Sequence, residues 1–146
     1  MVSFGDAIGL FFRRYFDFTG RSSRSAYWWF QLFYFLTLIL FVVSVVITGM
    51  DVDSEEIETS GAVSLFAFAL FVLGTFIGQI SLSVRRFHDL NQTGWLVLVF
   101  IIGGLIPLIG LLVSLAQIIW FVMPGTVGNN RYGPDSLMGY DSNRVL

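Results

Sequence analysis

Three long stretches of this chain carry no charged side chain: residues 25–50 and 59–84, each 26 residues long, and residues 90–130, 41 residues long. A helix needs about 20 predominantly apolar residues to cross a hydrocarbon core of about 30 Å. The first two stretches therefore each predict one transmembrane helix, over residues 27–48 and 62–84. As one straight helix the third would measure about 62 Å at about 1.5 Å per residue, so it has to break. Gly103, Gly104, Pro107 and Gly110 supply the weak point. Segment 95–123 then has two possible arrangements: one kinked span, or a hairpin at Gly103 to Pro107 made of two short helices whose turn is buried in protein.

Ahead of the first span, Phe4, Ile8, Phe11, Phe12, Tyr15 and Phe18 fall on one helical face, with Asp6, Arg13 and Asp17 opposite. This pattern predicts an N-terminal interfacial amphipathic helix, its rings in the acyl boundary and its arginines at the headgroups. The alternative is a helix packed on the chain's own spans. The first apolar run begins too late, runs too long and lacks the small-residue cleavage site of a removable signal peptide.

Charge adds an orientation. Arg13, Arg14, Arg21 and Arg24 precede the first span, the external loop 49–61 holds five acids and no base, and Arg85 and Arg86 follow the second span. The positive-inside rule places the N-terminus in the cytoplasm. The hairpin keeps all eight arginines on that side, whereas a single kinked span would carry Arg131 and Arg144 out, so the hairpin is favoured. Composition agrees with the bilayer as solvent: the 146 residues are 55% hydrophobic and 12% charged, against about a quarter charged in soluble domains. The expected fold is an all-α polytopic membrane protein, a single membrane domain over residues 1–146. With no cysteine, a disulfide framework, a thiolate metal site and a cysteine nucleophile are excluded.

Lipid tails give helices no hydrophobic reason to associate, so small residues and interhelical hydrogen bonds must supply it. Gly74 and Gly78 form a G-x-x-x-G pair, and Thr75, Gln79 and Ser83 follow on the adjacent face. Thr37, Phe41, Ser44 and Thr48 share a face of the first span, and Gly110, Ser114 and Gln117 share one after the break. These faces are expected to pack together, with Gln79 and Gln117 as candidate hydrogen-bond partners and Gly74 with Gly78 as a candidate homo-oligomer contact.

The polar residues gather in three segments: Phe18-Thr19-Gly20-Arg21-Ser22-Ser23-Arg24-Ser25-Ala26-Tyr27-Trp28; Arg85-Arg86-Phe87-His88-Asp89 with Thr93-Gly94-Trp95; and Pro124-Gly125-Thr126 with Gly128-Asn129-Asn130-Arg131-Tyr132-Gly133-Pro134. In this order around apolar spans, the chain from about Phe11 to Asp135 resembles the domain-of-unknown-function family 805, small bacterial inner-membrane proteins. The resemblance implies a multi-pass protein of the bacterial cytoplasmic membrane and no particular activity. Ala26 stands where an acid is common in that family, Phe87 where a leucine is, and Leu96 where a second tryptophan is. Without an acid at 26 the capping box that Ser23 would open is incomplete, leaving the serine hydroxyl to cap the first span alone.

Arg21, Arg24, Arg85, Arg86, His88, Asp89, Asn130, Arg131 and Tyr132 form the candidate site, for which two roles are open. One is an ion-pair and hydrogen-bond lattice that pins the loops, with Asp89 as the partner of Arg21, Arg24 or Arg131. The other is a cytoplasmic site for anionic headgroups built from Arg21, Arg24, Arg86 and Arg131. All eight basic residues are arginine and none is lysine. No enzyme is expected: His88 is the only histidine, too little for a zinc site, and neither a Gly-x-Ser-x-Gly elbow nor a phosphate loop is present. The pI of about 5.1 argues against nucleic acid as a partner. No cofactor or metal is expected. The expected function is a non-enzymatic membrane component that binds anionic lipid or a membrane-protein partner. The alternative, a small transporter or channel subunit, is weakened by the lack of any ionisable residue within a span.

Overall fold

The structure is a computed structural model that describes residues 1–49 and 55–137. It is all helical: α1 (Phe4–Arg13), α2 (Arg24–Gly49), α3 (Glu55–Asp89), α4 (Leu96–Gly104) and α5 (Ile109–Val122). Of the acidic loop expected over 49–61, residues 50–54 lie outside the described residues and α3 has begun by Glu55. Residues 138–146 of the polar tail also lie outside.

Two compact units divide the chain: residues 31–77, and residues 1–30 together with the chain from Gly78 onward. In the first unit α2 and α3 pack through aromatic rings, Tyr34 stacked on Phe71 at 5.4 Å and Phe41 against Phe68 and Phe71 at 5.8 and 5.7 Å. The hydroxyls expected to join helices in this region bond back to their own backbone, Thr37 to the Phe33 carbonyl at 2.9 Å, Ser44 to Phe41 at 3.0 Å and Thr75 to Phe71 at 2.7 Å. Each long helix holds an 18-residue segment apolar enough to cross a membrane, within 24–47 and within 61–89, with mean hydropathy 2.5 and 2.1. Only 6% and 11% of these two segments is buried inside the chain. The core helix of a soluble protein would be mostly buried, whereas an outward apolar face such as Leu40 and Leu73 suits lipid.

In the second unit, Ser3 caps α1: its hydroxyl accepts the Asp6 N–H at 3.3 Å and donates to the Asp6 carboxylate at 2.6 Å. Helix α1 stops at Arg13, shorter than the amphipathic pattern, and it packs on the chain itself through Ala7 and Phe11. The Phe11 ring stacks on Phe30 at 3.6 Å. A Cβ at Gly78 would overlap the Phe11 ring and lie 2.7 Å from Tyr15, so this glycine of α3 is the seat of the α1 aromatics. Phe4 and Phe12 of α1 and Phe16 just beyond it remain exposed. Ser23 caps α2 as expected, accepting the Ala26 N–H at 3.3 Å on its hydroxyl.

One boundary corrects the sequence reading. Residues Arg85 to Asp89, expected in a loop over 85–94, are the last turn of α3. The helix ends in a Schellman motif, with Gln92 N–H on the Phe87 carbonyl at 2.9 Å, Asn91 N–H on His88 at 3.0 Å, and Asn91 at φ 58°. The apolar run alone marked the end of the helix too early, because the arginines find acceptors within the fold and the backbone ladder continues past them.

Segment 95–123 forms the hairpin. Helices α4 and α5 run to about 14 and 21 Å at about 1.5 Å per residue, each short of a full span. A Cβ at Gly110 would lie 2.6 Å from the Gly104 carbonyl oxygen and one at Gly103 would lie 3.0 Å from Val113, so both glycines allow the two helices to close. The break falls at 105–108, where Leu108 takes φ 67°. The turn is not buried in protein as expected: Leu105 is 79% and Leu108 86% exposed. Several of its backbone groups bond locally, Ile106 N–H on Gly103 at 3.2 Å and Gly110 N–H on Ile106 at 2.7 Å.

Candidate functional site

Burial of a carboxylate is tolerated only when it is paired and hydrogen-bonded, and Asp89, at the end of α3, is 1% exposed. Its Oδ1 accepts from Arg21 Nε at 3.0 Å and from the Ser136 hydroxyl at 2.8 Å. Its Oδ2 accepts from Arg86 Nη1. Its backbone carbonyl accepts from the Thr126 N–H at 2.9 Å and the Thr126 hydroxyl at 3.0 Å. A Cβ at Gly125 would overlap this carboxylate, so the chain after α5 passes here only because residue 125 is glycine.

The two arginines spend their remaining donors on backbone. Arg21 donates Nη1 to the Gly128 carbonyl at 2.6 Å and Nη2 to the Thr126 carbonyl. Arg86 donates Nε and Nη2 to the Phe121 carbonyl at 3.2 and 2.9 Å, and Nη2 also to Met123. These are the last carbonyls of α5, which have no acceptor role inside their own helix, so Arg86 caps α5 and meets its negative dipole end. Trp28 Nε1 donates to the same Phe121 carbonyl at 3.1 Å. Arg85 serves α1 in the same way: Nη1 donates to the Arg14 carbonyl at 2.6 Å, to the Asp17 carbonyl and to the Ser81 hydroxyl at 2.8 Å, and Nε donates to the Ser22 hydroxyl at 3.1 Å.

His88 extends the lattice. Its Nδ1–H donates to the Gly20 carbonyl at 3.0 Å, and its ring stacks on Tyr132 at 3.8 Å. Asn130 donates to the His88 carbonyl at 2.9 Å and the Thr126 hydroxyl at 2.8 Å. Arg131 lies over the Tyr132 ring at 4.8 Å and donates to the Asn91 carbonyl at 2.9 Å. Arg24 donates to the Val122 carbonyl at 3.2 Å.

All nine predicted site residues thus lie in one unit, with Asn130 and Tyr132 half-buried between two extremes. Arg21, Arg85, Arg86, His88 and Asp89 are buried, while Arg24 and Arg131 are exposed. Asp89 pairs with Arg21 and with Arg86, its neighbour one turn back, and neither Arg24 nor Arg131 pairs with it. Of the residues expected at helix contacts, Gly78 and Gly110 sit at close approaches, whereas a Cβ at Gly74 would meet nothing within 4 Å. Ser114 is exposed and Gln117 half-buried on α5.

Sequence reasoning missed Arg14, Asp17, Ser22, Ser81, Thr126 and Ser136. Ser81 could have been found, lying one helical turn before Arg85 on the same face; nothing in the spacing marks Ser136. Arg14 pairs with Asp17 at 2.7 Å, both about a third exposed. Burial works against the Asp17 carboxylate, but hydrogen bonds from the Thr19 hydroxyl and N–H and from Arg14 outweigh it and hold the group at about 2. No group of three or more potential metal ligands occurs among the described residues.

Residues 15–134 match the family described as protein of unknown function DUF805. The chain belongs to the DUF805 family. Inner membrane protein YhaI of Escherichia coli (strain K12) is 32% identical over 128 residues, 87% of this chain and 92% of that protein. Inner membrane protein YhaH of the same strain is 30% identical over 124 residues, 84% of this chain and 89% of that protein. No solved structure matches. The DUF805 region begins after α1 and contains both arginine partners of Asp89 and every carbonyl they cap, with Ser136 just beyond it.

Proposed function

We propose that this DUF805 protein is a non-enzymatic inner-membrane component, its N-terminus cytoplasmic, that binds anionic lipid at Arg131. One observation carries the reading. Beside the His88–Tyr132 stack lies a cavity of about 460 Å³ walled by Phe18, Ile80, Val84, Trp95 and Leu98, large enough for a length of acyl chain. Arg131 stands over the same tyrosine, exposed, with no carboxylate within 4 Å among the described residues. An apolar slot with a cation at its rim is the complement of an anionic phospholipid. Arg24, exposed about one helical turn before Trp28 and Trp29, supports the reading as a second headgroup contact at the aromatic belt. Buried Arg21 and Arg86 do not contribute to it.

The test is native mass spectrometry of the full chain released from phosphatidylglycerol or phosphatidylcholine nanodiscs. A surface cation near anionic lipid is worth about 1 kcal/mol, so Arg131→Ala should lower phosphatidylglycerol retention about fivefold. Phosphatidylcholine retention should be unchanged by Arg131→Ala, while Leu98→Trp, which fills the slot, should lower both. Equal phosphatidylglycerol retention in wild type and Arg131→Ala would refute the proposal.

A further inference from the structure

A second cavity, of about 350 Å³, lies elsewhere in the same unit, between the apolar face of α1 and the start of α2. Its lining combines apolar Ala7, Leu10, Phe11 and Leu82 with polar Arg14, Arg21, Arg85, Ser22, Asp135 and Ser136. Three facts converge on it. First, the cavity lining is cationic: Arg14, Arg21 and Arg85 line it with a single carboxylate, Asp135. Second, an unmatched cation is inside. Arg85 is 1% exposed and no described carboxylate lies within 4 Å of it, an arrangement that costs several kcal/mol per ion unless something compensates. Third, two buried donors remain unspent. The described partners of Arg85 occupy Nε and Nη1 and leave Nη2 without an acceptor. Ser22, 7% exposed, accepts from Arg85 while its own O–H donates to no described residue.

We propose that this cavity is an anion site that takes a phosphate group, held by Arg85 Nη2 and the Ser22 hydroxyl, with any apolar part of the ligand against Leu10 and Leu82. An added anion would offset the excess of positive charge at the cavity, and a tetrahedral oxyanion accepts from a guanidinium and a hydroxyl together. The same chemistry is offered by free phosphate and by a phosphomonoester lipid headgroup. The site shares no residue with the Arg131 slot and does not depend on it.

The experiment uses the full chain in detergent and phosphate-free buffer at constant ionic strength, with thermal unfolding followed against added inorganic phosphate, chloride or dihexanoyl phosphatidate. A saturable rise in Tm of about 3 °C or more with phosphate or phosphatidate, and none with chloride, is expected. A response to both identifies a free oxyanion as sufficient, and a response to phosphatidate alone identifies a headgroup. Losing one hydrogen bond to the anion should weaken the apparent affinity about tenfold in Ser22→Ala, and Arg85→Gln should abolish the response. If Arg85→Gln does not fold, Ser22→Ala, which removes a single oxygen, still decides. Arg131→Ala should leave the phosphate response intact, which separates failure here from failure of the lipid slot. Absence of a shift with both phosphate compounds, or an undiminished shift in Ser22→Ala, would overturn the proposal.

Discussion

Replacing Asp89 by asparagine removes one charge and almost no volume, and it should be among the most damaging single changes in the protein. The carboxylate receives Arg21, Arg86 and Ser136 on its two oxygens, while an amide offers one oxygen and turns an NH2 toward a guanidinium. The side chains involved are almost out of solvent, 1% and 0% exposed for the arginines and 2% for Asp89, so water cannot take over. Breaking a buried pair by removing one partner costs about 3–5 kcal/mol, against a typical total stability of about 5–15 kcal/mol. Because Arg21 and Arg86 also hold the carbonyls at 121–128, the loss should extend to the end of α5 and the segment after it. The assay is equilibrium unfolding in mixed micelles followed by circular dichroism, run as a double-mutant cycle of Asp89→Asn with Arg86→Met. The double variant should be less unstable than the two losses added together. Asp17→Asn is the control: its pair with Arg14 is about a third exposed, and such pairs are worth under about 1 kcal/mol. A loss below about 1 kcal/mol in Asp89→Asn would refute the view that this carboxylate organises the lattice.

The G-x-x-x-G pair should split by position. Gly78→Ala puts a methyl into the Phe11 and Tyr15 rings and should cost about 1–3 kcal/mol, with α1 becoming sensitive to limited proteolysis. Gly74→Ala meets nothing and should be neutral or slightly stabilising, by under about 1 kcal/mol; equal losses at both would count against α1 as the occupant of the glycine face. For topology, the hairpin and the bonds from Arg21 to Thr126 and Gly128 bring the first and third polar segments together. A reporter active only in the cytoplasm should therefore be active when fused after Leu146 and inactive when inserted in the acidic loop at Asp53, and silence after Leu146 would sink the proposed orientation.

Much of this architecture was written in the spacing of charged residues. A run of 26 uncharged residues has few options in a 30 Å bilayer core, since every backbone polar group must be satisfied within the segment, and α2 and α3 follow from that alone. The Gly-Gly-x-x-Pro break announced the hairpin because proline removes a donor and glycine permits the close approach seen at Gly110. The fate of the arginines was not written there. Sequence placed Arg21, Arg24, Arg85, Arg86 and Arg131 at one end of the spans, but a guanidinium serves a lipid phosphate, a carboxylate and a helix-terminal carbonyl equally well, and its neighbours in the chain do not distinguish these. Only the tertiary arrangement brought the ends of α1 and α5 to Arg85 and Arg86, turned Arg21 onto Asp89 across 68 residues of chain, and left Arg24 and Arg131 outside. Span length is a local property of the chain and can be counted. Which acceptor a buried cation meets is set by contacts distant in sequence, and those exist only once the helices have packed.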